Sequence, residues 1–123
     1  MRIFLKQKRD SHARDLYVRL NTLPVSLLYK MQLMLLIHKC IYFASELPIV
    51  FQNRLDFNKD FHSHDTRTKN SVHLHCANSV GKLCLNFRGG QYWNTLPIEI
   101  RKHCSTSLFK KIILAYLTKN ELI

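Results

Sequence analysis

The most apolar part of the chain is the segment 24–44, and its pattern predicts a long helix. Leu28, Met31 and Leu35 share one stripe at helical spacing, and further apolar residues widen it. Pro24 suits the first turn of a helix, where its missing N–H costs nothing. Positions 33–37 are apolar nearly all round, so neighbouring segments must cover them on several sides. We expect part of this surface to contact a segment outside the chain.

Shorter helices are predicted on both sides of this segment. Leu16 and Leu20 recur at helical spacing near the start of the chain. Near its end, Ile113 and Leu117 belong to an apolar stripe, and Ser105 can cap the helix that carries it. A further short helix is predicted to begin near residue 97.

The hydrophobic period changes from helical to alternating after residue 71. Two runs alternate in this way: Val72, Leu74 and Cys76 form the first, and Leu83, Leu85 and Phe87 form the second. Alternation is typical of half-buried strands, and residues 77–82 would connect them. Gly89-Gly90 is interpreted as a further break. The pattern therefore predicts an antiparallel β-hairpin.

These elements predict one module of the α+β class, mainly α with a small antiparallel β-hairpin. The order is a helical part (1–55), a polar loop (56–71), a β-hairpin region (72–94) and C-terminal helices (95–123). A length of 123 residues, 46% of them hydrophobic, favours one folded domain over several domains or a disordered chain.

Charge is the strongest chemical signal in the sequence. The chain has 19 Lys and Arg against 8 Asp and Glu, so its formal net charge is +11. Such an excess suits a polyanion such as RNA, DNA or an anionic membrane surface. The alternative is a solvated basic surface that binds nothing. We predict that nucleic-acid phosphates contact Arg9, Arg14, Arg67, Lys69, Arg88, Arg101, Lys102, Lys110 and Lys111.

Three residues of the C-terminal third are predicted to be structural anchors: Trp93, Pro97 and Phe109. Large aromatic side chains dominate core burial, which favours packing for the single tryptophan. Base stacking by Trp93, Tyr92 or Phe87 is the alternative.

The sequence carries no recognisable catalytic or metal-binding arrangement, and we predict no cofactor and no small-molecule substrate. His73 and His75 share one face of the predicted strand, but the ligand spacings of a zinc site are missing. No cysteine lies in a C-x-x-C pair or a known catalytic motif. Without a secretory signal, the cysteines indicate reduced thiols in an intracellular protein.

A membrane-spanning helix is not predicted either. Lys30, His38 and Lys39 interrupt the apolar segment 24–44. Its longest run without a basic residue or histidine, 31–37, is far shorter than the roughly 20 residues that a span needs. We therefore expect no membrane partner.

Five segments carry a family resemblance. In chain order they are Tyr17-Val-Arg-Leu-Asn-Thr-Leu-Pro-Val-Ser-Leu-Leu-Tyr-Lys30, His38-Lys-Cys-Ile-Tyr42, His64-Asp-Thr-Arg-Thr-Lys-Asn70, Tyr92-Trp-Asn-Thr-Leu-Pro97 and Ser107-Leu-Phe-Lys110. Together they resemble the C-terminal region, after the palm and thumb, of reverse transcriptases from jockey-like non-LTR retrotransposons. The blocks 66–70 and 92–97 are the more specific parts.

The resemblance implies a fragment of an RNA-directed DNA polymerase without its catalytic palm. Such a polymerase holds divalent metal ions on paired aspartates, and this chain has no Asp-Asp pair. The implied role is non-catalytic contact with template RNA or an RNA–DNA hybrid through the basic clusters, with the missing palm and thumb as partners. A purely structural buttress, or an inactive truncated copy of the element, is the alternative. A stand-alone DNA-binding regulator would need a recognition helix, and none is identifiable.

Overall fold

The structure, a computed structural model, describes residues 6, 12–52, 55–75, 78–81 and 84–122. Its α-helices are α1 (Ala13–Arg19), α2 (Val25–Tyr42), α3 (Asn58–Phe61), α4 (Leu85–Thr95), α5 (Ile98–Arg101) and α6 (Thr106–Leu117). Short 3₁₀ turns follow α2 at Ala44–Glu46 and Ile49–Phe51, and a π-helical turn, Thr118–Leu122, follows α6.

The central helix is α2, which packs against both α4 and α6. The core joins Met31, Met34, Leu35 and Ile37 of α2 to Trp93 of α4 and to Phe109, Ile113 and Leu117 of α6. Leu33 is buried as well. Segments of this same chain therefore bury Leu33, Met34, Leu35 and Ile37, while Leu36 is half-buried.

The predicted α+β class is wrong, because the described residues are mainly helical and contain no strand. Leu85 and Phe87, assigned to the second strand of the hairpin, lie instead in α4. Residue 72 forms a single antiparallel bridge, and its partner is Phe57. Cys76 and Leu83, also assigned to the hairpin, lie outside the described residues.

The glycines of α4 explain why its pattern was misleading. The buried positions of this helix are Gly89, Gly90 and Trp93, so its inward face is at helical spacing but has only one apolar side chain. A Cβ atom on Gly89 would lie 2.8 Å from the Ile37 side chain of α2, and one on Gly90 would lie 2.8 Å from Leu74. The glycine pair is therefore a close-packing surface inside a helix, and it is not a chain break.

The last helix, α6, is capped and then extended by the π-helical turn. The Ser105 hydroxyl accepts a hydrogen bond from the Leu108 N–H, at 3.5 Å. In the turn, Leu122 is buried in the core and Glu121 pairs with Lys30 of α2. The turn thereby ties the end of α6 back to the central helix.

No helix in the described part of the chain combines the length and apolar character that crossing a bilayer requires.

Candidate nucleic-acid interface

A pocket of about 320 Å³ lies between the C-terminal end of α2, α5 and the segment 57–71. We call it the basic pocket. Its walls are formed by Ile41, Tyr42, Phe57, Lys59, Arg67, Asn70, Ser71, Trp93, Ile98, Arg101 and Lys102.

The basic pocket is positively charged. Lys59, Arg67, Arg101 and Lys102 contribute four cationic side chains from three separate parts of the chain. Among the described residues, no Asp or Glu lines its walls. A concave surface that carries one sign of charge concentrates anions, because its low-dielectric walls focus the field.

Arg101 and Lys102 are held in place by α2 through hydrogen bonds to the backbone that carries them. The Tyr42 hydroxyl donates to the Arg101 carbonyl oxygen at 2.7 Å. One turn earlier on the same face, His38 Nε2 lies 2.7 Å from the His103 carbonyl oxygen. A carbonyl only accepts, so Nε2 must carry the proton and donate it. The two side chains thus satisfy carbonyls at the end of α5, which has no further turn to do so.

Both of these donors are neutral. Burial lowers the pKa of His38, and the hydrogen bond to the His103 carbonyl only partly opposes that shift. Burial raises the pKa of the Tyr42 hydroxyl, and nearby Cys104 raises it further. Uncharged side chains therefore hold the end of α5 in place, and the cations that line the pocket supply its charge.

Lys59 and Arg67 are positioned by a network within the segment 56–73. The Asn58 N–H donates to the Ser71 carbonyl at 3.1 Å, and the Lys59 N–H donates to the Lys69 carbonyl at 3.0 Å. The Asn58 side chain also donates to the Thr68 carbonyl, at 3.0 Å. These bonds fold the segment back on itself and bring α3 beside the turn that carries Arg67.

Asn94 fastens this segment to the core. Its side-chain oxygen accepts from the Val72 N–H and its side-chain nitrogen donates to the Val72 carbonyl, each at 2.9 Å. The backbone bonds next to the Phe57–Val72 bridge join residue 58 to 71 and 73 to 56, so the polar groups of Val72 itself point away from Phe57. Asn94 therefore takes the position that a third strand would occupy.

Arg101 is the member of the pocket with a buried side-chain donor. Its Nε, like Nδ1 of His38, is buried and has no hydrogen-bond partner among the described residues. Because the Nε atom is buried, contact with a ligand would fall to the other nitrogens of the guanidinium group. A phosphate oxygen is the usual acceptor for a guanidinium group.

The structure brings together three of the predicted phosphate contacts, Arg67, Arg101 and Lys102, in the basic pocket, and the other described candidates do not line it. Arg14 lines a different hollow beside Glu121, and Lys111 lines a third. Lys69 is half-buried and pairs with Asp65 at 3.0 Å. Arg88 is half-buried on α4, Lys110 is exposed on α6, and Arg9 lies outside the described residues.

Lys59 and Tyr42 line the pocket but were not among the sequence-based candidates. Lys59 was assigned to a polar loop, although its spacing from Phe57 allows the contact that the structure has, with Nζ 5.5 Å from the ring centroid. Tyr42 lies in the predicted helix 24–44 and was given no site role. Its place in the pocket depends on the distant α5, which no local pattern reveals.

The three predicted anchors differ in burial. Trp93 is 3% exposed and Phe109 is fully buried, with their ring centroids 5.6 Å apart. Such a buried indole cannot stack on a base. Pro97 is exposed and directly precedes α5, so it sets the start of that helix and does not fill the core.

His73 and His75 each have a side-chain hydrogen-bond partner within the chain. His73 Nδ1 lies 3.0 Å from Asn58 Oδ1, and His75 Nε2 lies 2.9 Å from Asp56 Oδ2. Over the described ranges, no group of three or more His, Cys, Asp or Glu side chains could hold a metal ion.

No protein-family model, curated protein or solved structure significantly matches the chain. The resemblance to reverse transcriptases therefore stays a prediction from the sequence.

Proposed function

We propose that the chain is a non-catalytic nucleic-acid-binding module that contacts RNA or an RNA–DNA hybrid through the basic pocket. The observation that carries the proposal is the convergence of Lys59, Arg67, Arg101 and Lys102 on one concave surface. Its relation to the C-terminal region of a non-LTR retrotransposon reverse transcriptase rests on the sequence resemblance alone. The free thiols of Cys40, Cys84 and Cys104 support an intracellular setting.

The physical basis of binding is the release of counterions from the phosphate backbone. Each cation that neutralises a phosphate of a single strand contributes a slope of about −0.7 to the dependence of log affinity on log salt. Four contacts would therefore weaken binding roughly 50-fold between about 50 mM and about 200 mM salt.

The test is a titration of a fluorescently labelled RNA with the purified chain, followed by anisotropy. We expect micromolar affinity at low salt, falling steeply with added salt, as backbone-directed binding does. The double variant Arg101→Gln, Lys102→Gln should bind more weakly and show a shallower salt slope, by about 1.4 for two lost contacts.

The matched control is Lys110→Gln, Lys111→Gln, which removes the same charge from exposed positions of α6 that do not line the basic pocket. Equal losses in the two double variants would show that binding is spread over the surface and would overturn the role of the pocket. Absence of salt-dependent binding by the unmodified chain would overturn the proposed function.

A structural buttress is the second candidate, and exposed apolar side chains at the start of α2 favour it. Val25 is 79% exposed, and Leu28 and Tyr29 are exposed beside it. Here the expected result is the reverse: a polymerase thumb fragment binds the chain and RNA does not.

A further inference from the structure

We propose that the basic pocket receives one unpaired nucleotide, so that the chain distinguishes single-stranded from fully paired nucleic acid. This inference rests on the proposed function and specifies its ligand.

The first argument is size and shape. The pocket is concave and holds about 320 Å³. That is the lower end of the roughly 300–1,000 Å³ that small-ligand sites occupy. In a duplex the bases are stacked inside the helix, and the backbone lies outside. Only the phosphates of a duplex can therefore contact such a pocket. An unpaired nucleotide can insert both its phosphate and its base.

The second argument is the mixed character of the walls. Besides its cations, the pocket has an aromatic and apolar side, on which Tyr42 and Ile98 are 37% and 56% exposed. The Tyr42 hydroxyl is engaged by the Arg101 carbonyl, so the ring is what remains for a ligand. Base stacking on such a ring adds affinity without demanding a particular sequence.

The third argument is the position of Arg101. Arg101 lines the pocket together with Tyr42. A guanidinium presents several donors in a rigid fork that matches phosphate oxygens. Arg101 and the Tyr42 ring come together because the Tyr42 hydroxyl holds the Arg101 backbone. A nucleotide in the pocket would therefore have its phosphate beside Arg101 and its base beside the Tyr42 ring.

The first experiment compares ligands on the unmodified chain at one salt concentration. A short RNA, the same RNA in a blunt duplex, adenosine monophosphate and inorganic phosphate are titrated separately. We expect the single strand to bind more tightly than the duplex, and adenosine monophosphate to displace it better than inorganic phosphate does. Equal affinity for strand and duplex would overturn this inference and leave the proposed function standing. If neither the single strand nor the duplex binds, both this inference and the proposed function are wrong.

The second experiment isolates the ring. Tyr42→Phe and Tyr42→Leu both lose the bond to the Arg101 carbonyl, but only Tyr42→Leu loses the aromatic face. We expect Tyr42→Leu to bind the single strand roughly five- to tenfold more weakly than Tyr42→Phe, with no difference on the duplex. Identical single-strand affinities in the two variants would overturn the stacking contact. Should the leucine variant not fold, the comparison of adenosine monophosphate with phosphate decides the question on the unmodified chain.

Discussion

Asn94 supplies Val72 with both of the backbone hydrogen bonds that a neighbouring strand would provide. Each bond is 2.9 Å long, and Val72 is 2% exposed, so water cannot replace either partner. An unpaired buried N–H or carbonyl costs about 1–3 kcal/mol. This one amide therefore adds two hydrogen bonds to the apolar contacts of Val72 and Phe57 that hold the segment against the core.

Replacement of Asn94 by alanine should destabilise the protein by about 2 kcal/mol or more, because two buried backbone groups lose their partners. Urea unfolding measures the change. Asn120→Ala is the matched control, since the side chain of Asn120 makes one exposed bond, to the Tyr116 carbonyl. If the two variants are equally stable, Asn94 does not have the role that we assign to it.

His38 makes the stability of the fold depend on pH. Burial lowers its pKa below the ordinary value of 6.5. On unfolding the imidazole returns to that value, so in the window just below pH 6.5 the unfolded chain binds a proton that the folded chain does not. The contribution of His38 to the free energy of unfolding is therefore fully present above this window, and it is lost as the pH drops through it.

We expect the unmodified protein to lose more stability between about pH 7 and about pH 5.5 than the variant His38→Gln, which has no imidazole to titrate. The comparison is between pH slopes, since the variant also changes the packing against Phe109, whose ring centroid is 4.3 Å from that of His38. Parallel slopes for the two proteins would refute the assignment to His38.

At the scale of elements, the contact between α2 and α4 depends on the absence of a side chain. Gly89 lets the two helices approach until Ile37 fills the space that a Cβ atom would need. Glycine inside a helix costs about 1 kcal/mol relative to alanine. The close approach of the two helices offsets this cost in helix propensity, because it buries the inward face of α4, including Trp93.

Gly89→Ala should therefore destabilise the protein by about 1 kcal/mol, because overpacking of about 1–3 kcal/mol exceeds the gain in helix propensity. Gln91→Ala, at an exposed position of the same helix, should be neutral within about 0.5 kcal/mol. Thermal or urea unfolding distinguishes them. A stabilised Gly89→Ala variant would mean that the helices have room to move apart.

The helices differ in how well their sequences could predict them. The positions of α2 and α6 could be predicted because apolar side chains recur over several turns. The inward face of α4 could not, since Gly89 and Gly90 contribute no apolar signal to it. The alternation that begins at Val72 does not form a strand among the described residues. Val72 makes one β-bridge, and its partners, Phe57 and Asn94, are distant in sequence.

The candidate site shows the same division between local and long-range information. Residue type alone could nominate Arg67, Arg101 and Lys102. Their convergence with Lys59 and Tyr42 depends on the packing of α5 against the end of α2 and on the Phe57–Val72 bridge. Contacts of this kind leave no periodic signal in the sequence.

For the whole molecule, the net charge of +11 opposes the compact state through self-repulsion. Among the described residues, Lys30 pairs with Glu121 and Lys69 with Asp65, but such pairs neutralise few of the cations. The closely placed cations of the basic pocket add to this repulsion.

Added salt should therefore raise the free energy of unfolding while it weakens RNA binding. We expect a gain of about 1 kcal/mol between about 20 mM and about 300 mM NaCl, since the screening length falls over that range. Urea unfolding at each concentration measures it. A stability that declines with salt would show that attractive pairs outweigh the repulsion.

The basic pocket exists only when the chain is folded, since its cations come from positions as far apart as 59 and 102. Any small anion that binds in the pocket therefore stabilises the folded state. At a concentration about 100 times its dissociation constant, such an anion would contribute about 2.7 kcal/mol of stability. A long polyanion would contribute less, because it also attracts the unfolded chain. The shortest ligand that fills the pocket is therefore expected to protect the fold best.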